Sequence, residues 1–86
     1  MSTNKEEILK NICYTDLVYG RINKKLNINF PKEQIEKFVL KILKETDEKF
    51  IFRKGKNYYV VNSEKNITLT INSNTFRIIT ADKIKK

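Results

Sequence analysis

The sequence predicts an α+β domain in which two or three N-terminal helices pack on one face of a four-stranded antiparallel meander. Three observations carry that expectation. Apolar residues recur at helical spacing as far as Leu43, the period changes to two after Asp47, and short turn segments divide the remainder into four stretches of strand length. A chain of 86 residues is one domain with a small core, so its stability is marginal. Its helical part spans about 1–48 and its sheet about 49–86.

Thr3 and Glu6 have the spacing of a capping box ahead of Ile8, Leu9, Ile12 and Cys13, which predicts a short helix over about 4–14. Thr15 and Asp16 resemble a second cap. From there Val18, Ile22 and Leu26 recur every four residues, predicting a helix over 16–26 in which Gly20 costs roughly 1 kcal/mol relative to Ala. Pro31 suits the first position of a third helix, over 31–46, because a missing N–H is harmless there. Ile35, Phe38, Val39, Ile42 and Leu43 form its apolar stripe, and Phe38 is expected to be buried.

Strands are expected at 49–53, 57–62, 67–72 and 75–80. Ile67, Leu69 and Ile71 alternate with Thr68 and Thr70, which assigns the buried side of the third strand. A two- or four-residue loop after Asn62 turns Tyr58 and Val60 inward; a three-residue loop would turn Tyr59 and Val61 inward, and the first is favoured. A three-residue loop Lys54-Gly55-Lys56 then places Phe50 and Phe52 on the core side. A two-residue turn at Ser73-Asn74 sets Ile71 opposite Phe76 and Leu69 opposite Ile78. Thr80 is expected to cap a short final helical turn containing Ile84.

Charge is divided unevenly. Residues 1–48 hold nine Lys/Arg and eight Asp/Glu, whereas residues 49–86 hold nine and two, so nearly all of the net +8 lies in the sheet half. Fifteen Lys against three Arg, with ten Asn and twelve Ile, is what AT-rich coding writes, so lysine abundance alone decides little. Codon bias loads both halves with Lys equally; the shortage of acids after Phe50 is what distinguishes the second half, although strands themselves disfavour Asp and Glu. A basic face of this kind attracts polyanions.

In the expected register Ile51, Tyr59, Thr70 and Arg77 line up across the solvent face of the sheet, with Arg53, Asn57 and Thr75 in the next row toward the Lys54-Gly55-Lys56 turn. An aromatic beside Arg and small hydroxyls is a stacking platform for unpaired bases. The nucleic-acid-binding candidates are Arg53, Lys54, Lys56, Tyr59 and Arg77. The competing structural reading is that Tyr and Thr are simply what a solvated antiparallel face prefers and that the cations discourage edge pairing.

The residues that are absent exclude much chemistry. With no His and Cys13 alone, the chain cannot assemble a histidine-dependent triad, a zinc ligand set or a disulfide of its own; Cys13 is expected as a small core residue. Gly20 and Gly55 are the only glycines, which excludes glycine-rich phosphate loops. No catalytic residue, metal or cofactor is expected. MSTNKEEILKN lacks the apolar core of a signal peptide and no apolar run approaches a bilayer span, so the expected setting is cytoplasmic, with no membrane partner.

The segments Tyr14-Thr15-Asp16-Leu17-Val18-Tyr19, Arg21-Ile22-Asn23-Lys24-Lys25-Leu26, Gly55-Lys56-Asn57-Tyr58-Tyr59-Val60 and Leu69 through Arg77 resemble a family of short bacterial proteins that carries a domain-of-unknown-function label. The resemblance implies a bacterial or phage single-domain protein and brings no site residues with it. In size, basicity and order of elements the chain is also similar to ribosome-dependent messenger-RNA-cleaving toxins, whose usual first strand it lacks. Ile22 to Leu43 looks like the helical hairpin of histone-like DNA-binding proteins, but the strands that follow do not match their DNA-embracing arm.

The leading expectation is a small basic, non-enzymatic module that binds RNA or single-stranded nucleic acid through a sheet face. The alternative is a protein-interaction or inhibitor module of phage or plasmid type, acting on an acidic protein surface or a phosphorylated small ligand. A third reading is the RNA-cleaving toxin.

Overall fold

The chain, analysed as a computed structural model that describes residues 4–84, runs α1 (Asn4–Asn11), α2 (Asp16–Leu26), α3 (Lys32–Glu45), a 3-10 turn (Glu48–Phe50), then β1 (Ile51–Lys54), β2 (Asn57–Asn62), β3 (Ile67–Asn72) and β4 (Ile78–Lys83). The strands form one antiparallel sheet in the order β1-β2-β3-β4. The helices lie on one of its faces, with α2 packed on β4. This is the expected α+β meander.

Each helix forms because its apolar spacing gives it a stripe to bury. Ile35, Val39, Ile42 and Leu43 of α3, Val18, Ile22 and Leu26 of α2, and Ile8 of α1 meet Ile51, Tyr58, Val60, Ile67, Leu69, Ile71, Ile78 and Ala81 from the sheet in one core. Burying each Ile, Leu or Val contributes about 1.5–3 kcal/mol. Pro31 occupies the N-cap position of α3 rather than the expected first helical position, so the helix begins one residue later than expected, and the Pro31 carbonyl accepts the Ile35 N–H at 3.0 Å. Asn27 ends α2 in the left-handed region (φ 56°). The Asn27 and Ile28 N–H groups donate to the Lys24 and Asn23 carbonyls, which is a Schellman closure with Asn where Gly is commonest. The Lys5 ammonium donates to the Lys44 and Thr46 carbonyls and so closes the C-terminal end of α3.

Several expectations are corrected. Phe38 is half-buried at the margin of the core, its ring edge-on to Phe30 at 5.9 Å. The first helix ends at Asn11 rather than at Tyr14, because Cys13 turns out to pair with the free edge of β4. Its N–H donates to the Phe76 carbonyl at 2.9 Å and its carbonyl accepts the Ile78 N–H at 3.0 Å. Thr15 stands at the N-cap of α2, yet its side chain makes no capping bond. Thr3, the proposed partner of Glu6, lies outside the described residues.

The sheet departs from expectation at both ends. Lys54 pairs with Asn57, so the first hairpin has the two-residue loop Gly55-Lys56, with Gly55 at φ +63° in the position where a type II′ turn needs glycine. One residue of slip reverses every side chain of β1. Ile51 therefore faces the core, and Phe52 faces solvent with 46 % of its surface exposed. Phe50, in the 3-10 turn before the strand, is exposed too.

At the other end, the Asn72 side chain accepts the N–H groups of Asn74 and Thr75, which holds a four-residue turn over 73–76 in place of Ser73-Asn74 alone. Phe76 leaves that turn at φ 59°, and Ile79 is left unpaired as a bulge between Ile78, opposite Ile71, and Thr80, opposite Thr70. Leu69 thus faces Ala81 rather than Ile78. The chain from Thr80 to Lys83 continues as strand, and Ile84 donates its N–H to the Asn66 carbonyl, so the expected final helical turn is replaced by sheet. No helix among the described residues is long and apolar enough to cross a membrane.

Candidate nucleic-acid interface

The parity of β2 decides where the exposed aromatics lie. Tyr58 and Val60 point into the core and Tyr59 points away from it, as the four-residue loop Ser63–Asn66 requires. Because Phe52 pairs with Tyr59, their side chains share the helix-free face, where the rings stack with centroids 5.6 Å apart and planes 29° from parallel. The row across that face is Phe52, Tyr59, Thr70 and Thr80, in place of the expected Ile51, Tyr59, Thr70 and Arg77. Val61 and Thr68 extend the face toward Phe50 and are part-exposed. The Asn57 amide donates to the Tyr59 hydroxyl at 3.5 Å.

The basic candidates divide between the two sides. Lys54 pairs with Asn57 on the Tyr59 side, and Lys56 occupies the turn beside it. The Lys56 carbonyl accepts both the Ser73 N–H (2.8 Å) and the Ser73 hydroxyl (2.9 Å), which fastens the hairpin to the β3–β4 turn and fixes the height of both lysines. Arg53 pairs with Tyr58, so it belongs to the opposite face, beyond the reach of the helices; its Nε donates to the Gly55 carbonyl at 3.4 Å. Arg77 lies outside the Tyr59 row, at the far edge of the rung that runs from Lys54 through Asn57 and Asn72, where its carbonyl accepts the Asn72 N–H. Three strand spacings, about 14 Å, separate it from Lys54.

Arg53, Lys54, Lys56 and Arg77 are all exposed. The ion pairs found among the described residues, Lys25 with Asp82 (3.6 Å) and Lys32 with Asp16 (3.8 Å), involve none of them. From 49 to 77 the sole acid is Glu64, which sits in the β2–β3 turn at the opposite end of the sheet. The hairpin end is therefore a region of one sign next to an aromatic pair. Sequence reasoning placed Tyr59 correctly and missed Phe52, although Gly55-Lys56 between two strand-like runs is itself the signal of a two-residue hairpin turn.

The other tyrosine cluster has a different character. Tyr14 and Tyr19 stack at 5.8 Å, the Tyr19 hydroxyl donates to Glu36 Oε2 at 3.1 Å, and the Tyr14 hydroxyl reaches the Glu36 carbonyl at 3.5 Å. Burial first, then the Glu36 charge and the neighbouring Tyr19, push the Tyr14 phenol well above its usual range. Tyr19 is raised by desolvation, then by its hydrogen bond to Glu36 and the charges of Glu36 and Asp16. Both phenols thus hold their protons more tightly than a free tyrosine, which suits them to joining α2 to α3 and not to base chemistry.

Residues 6–82 match the family described as Protein of unknown function (DUF3781). No curated protein and no solved structure matches the chain.

Proposed function

The chain belongs to the DUF3781 family, and we propose that it is a small non-enzymatic module binding RNA or single-stranded DNA on the open face of its sheet. The observation that carries this reading is the stacked Phe52–Tyr59 pair on the helix-free face, Phe52 exposed and Tyr59 half-buried, beside Lys54 and Lys56. Leaving a phenylalanine of this exposure on a solvent face gains the fold little, whereas a base stacked on an aromatic ring is worth about 1–3 kcal/mol. The lysines supply the sequence-independent phosphate attraction, and Thr70 and Asn57 supply polar groups within the same face.

The test is fluorescence anisotropy of a labelled mixed-sequence oligonucleotide at increasing salt. Binding that weakens log-linearly with salt, and that Phe52→Ala or Tyr59→Ala reduces by about 5- to 150-fold, supports the reading. No binding at low salt overturns it.

A second reading, a protein-interaction module that engages an acidic protein surface, has its own supporting observation. Leu17 is 82 % exposed at the start of α2 and borders a hollow of about 220 Å³ with Arg21 and Arg77. The two arginines that line this hollow offer an acidic partner charge-assisted contacts, and the exposed Leu17 adds apolar surface beside them. Retention of a partner after nuclease treatment, abolished by Leu17→Asp, distinguishes it from the first.

A further inference from the structure

A second concavity opens on the helix-bearing side, at the end of the sheet remote from the Gly55 hairpin. It measures about 390 Å³ and is bounded by Leu26, Ile28, Phe30 and Phe38 on one side and by Lys65, Asn66, Ile67 and Lys83 on the other. That volume lies within the roughly 300–1,000 Å³ typical of small-molecule sites. Leu26 and Ile67 are buried, while Ile28, Phe30 and Phe38 are half-buried and present apolar surface to the opening.

The first wall is held in place independently of any ligand. Asn23 clamps Phe30 from both sides, its Nδ2 donating to the Phe30 carbonyl and its Oδ1 accepting the Phe30 N–H, each at 3.0 Å. The Schellman closure fixes Asn27 and Ile28, and the edge-on contact with Phe38 orients the Phe30 ring. The second wall is fixed as well. Asn66 sits at φ 60°, its carbonyl accepts the Ile84 N–H at 2.9 Å, and the Lys65 N–H donates to Asn62 Oδ1 at 2.8 Å.

Two features of that wall are left unanswered by the protein. The side-chain oxygen of Asn66 is buried with no hydrogen-bond donor, an arrangement that folded proteins rarely leave in place. Lys83 stands directly opposite Ile67 in the register, hence on the same face, and Lys65 adjoins Asn66; both are exposed, and neither enters the ion pairs found among the described residues. Ring-lined apolar walls, one buried acceptor and two cations have a definite complement.

We propose that this groove binds a small aromatic anion carrying an N–H donor, its ring against Phe30 and Phe38, its N–H toward Asn66 Oδ1 and its anionic group toward Lys65 and Lys83. The site is separate from the open sheet face, and neither proposal depends on the other.

The experiment titrates isotopically labelled full-length protein by two-dimensional amide NMR with three probes. Indole-3-acetate has ring, donor and anion; 1-naphthaleneacetate lacks the donor; indole lacks the anion. Indole-3-acetate is expected to move the amides of Lys65, Asn66, Ile67 and Lys83 saturably and to bind about tenfold more tightly than either of the others, the worth of one hydrogen bond or one charge contact. The Lys65→Gln/Lys83→Gln pair, at exposed positions, should bring indole-3-acetate down to the affinity of indole. Asn66→Gly keeps the left-handed backbone at no steric cost. It should erase the preference for indole-3-acetate over 1-naphthaleneacetate while leaving the latter's affinity unchanged. Equal affinity for all three probes, shifts confined to other surfaces, or no saturable shift at millimolar probe would overturn the proposal.

Discussion

Replacing Thr46 by Val tests the bond that ties the strand bearing Tyr59 to the longest helix. Thr46 is 3 % exposed; its hydroxyl donates to the Ile42 carbonyl at 2.6 Å and accepts from Asn62 Nδ2 at 3.0 Å. The substitution keeps the shape and removes both bonds. The Ile42 carbonyl retains the Thr46 backbone N–H at 3.0 Å, so its loss is small. Asn62, 5 % exposed, is left with an unpaired buried donor, worth about 1–3 kcal/mol. A net loss of about 2 kcal/mol is expected after the added methyl group offsets part of it.

Against a total of roughly 4–13 kcal/mol for a chain of this length, such a loss is large. It should lower the melting temperature by about 8–16 °C, measured by far-ultraviolet circular dichroism and confirmed by urea unfolding at neutral pH. Asn62→Leu alone also loses the Lys65 N–H contact, but the double variant should be destabilised by less than the sum of the two singles, since no donor is then stranded. A Thr46→Val protein within about 0.5 kcal/mol of the parent would refute the claim that this network anchors β2 to α3.

Leu69→Ala, in the fully buried centre of β3, should cost about 2–5 kcal/mol, whereas Phe38→Ala, at the margin beside Phe30, should cost clearly less; the reverse order in urea unfolding would contradict the burial pattern. Lys54→Ala and Lys56→Ala should each weaken oligonucleotide binding modestly and reduce the salt slope by about one unit. Tyr59→Phe should leave binding nearly unchanged, because stacking uses the ring; RNA cleavage by the purified protein, alone or with ribosomes, that falls about 10²- to 10⁴-fold on this change would instead establish the toxin reading. The raised Tyr14 phenol makes stability pH-dependent on the alkaline side: its contribution is present below the ordinary phenol value of 10.0 and is lost as pH rises toward the folded-state value, because the unfolded chain releases the proton first. Tyr14→Phe should flatten the fall in stability above that pH, and an unaltered alkaline unfolding curve would count against it.

The helices and the order of strands were legible because they depend on periodicity, which Ile35, Val39 and Ile42 or Ile67, Leu69 and Ile71 express locally. The parity of β2 was favoured but left open, because Tyr58-Tyr59-Val60-Val61 offers an apolar side either way; the four-residue loop Ser63–Asn66 decides it. What escaped depends on single turns and on contacts distant in sequence. Gly55 shortens the first hairpin by one residue and turns Phe52 outward. The Asn72 side chain builds a longer turn than Ser73-Asn74 suggests, and Cys13 leaves its helix for an edge more than sixty residues away. Half of the candidate site followed from these details: Tyr59, Lys54 and Lys56 gather where expected, Phe52 joins them through the hairpin, and Arg53 and Arg77 are carried to the opposite face and the far edge.

The most direct measurement is an amide and aromatic NMR titration of the full chain with a short unlabelled single-stranded oligonucleotide at low salt. The account predicts saturable shifts centred on Phe52, Tyr59, Thr70 and the Lys54–Asn57 hairpin, abolished by the Phe52→Ala/Tyr59→Ala pair. Shifts absent from that face, or persisting undiminished in the double variant, would contradict it.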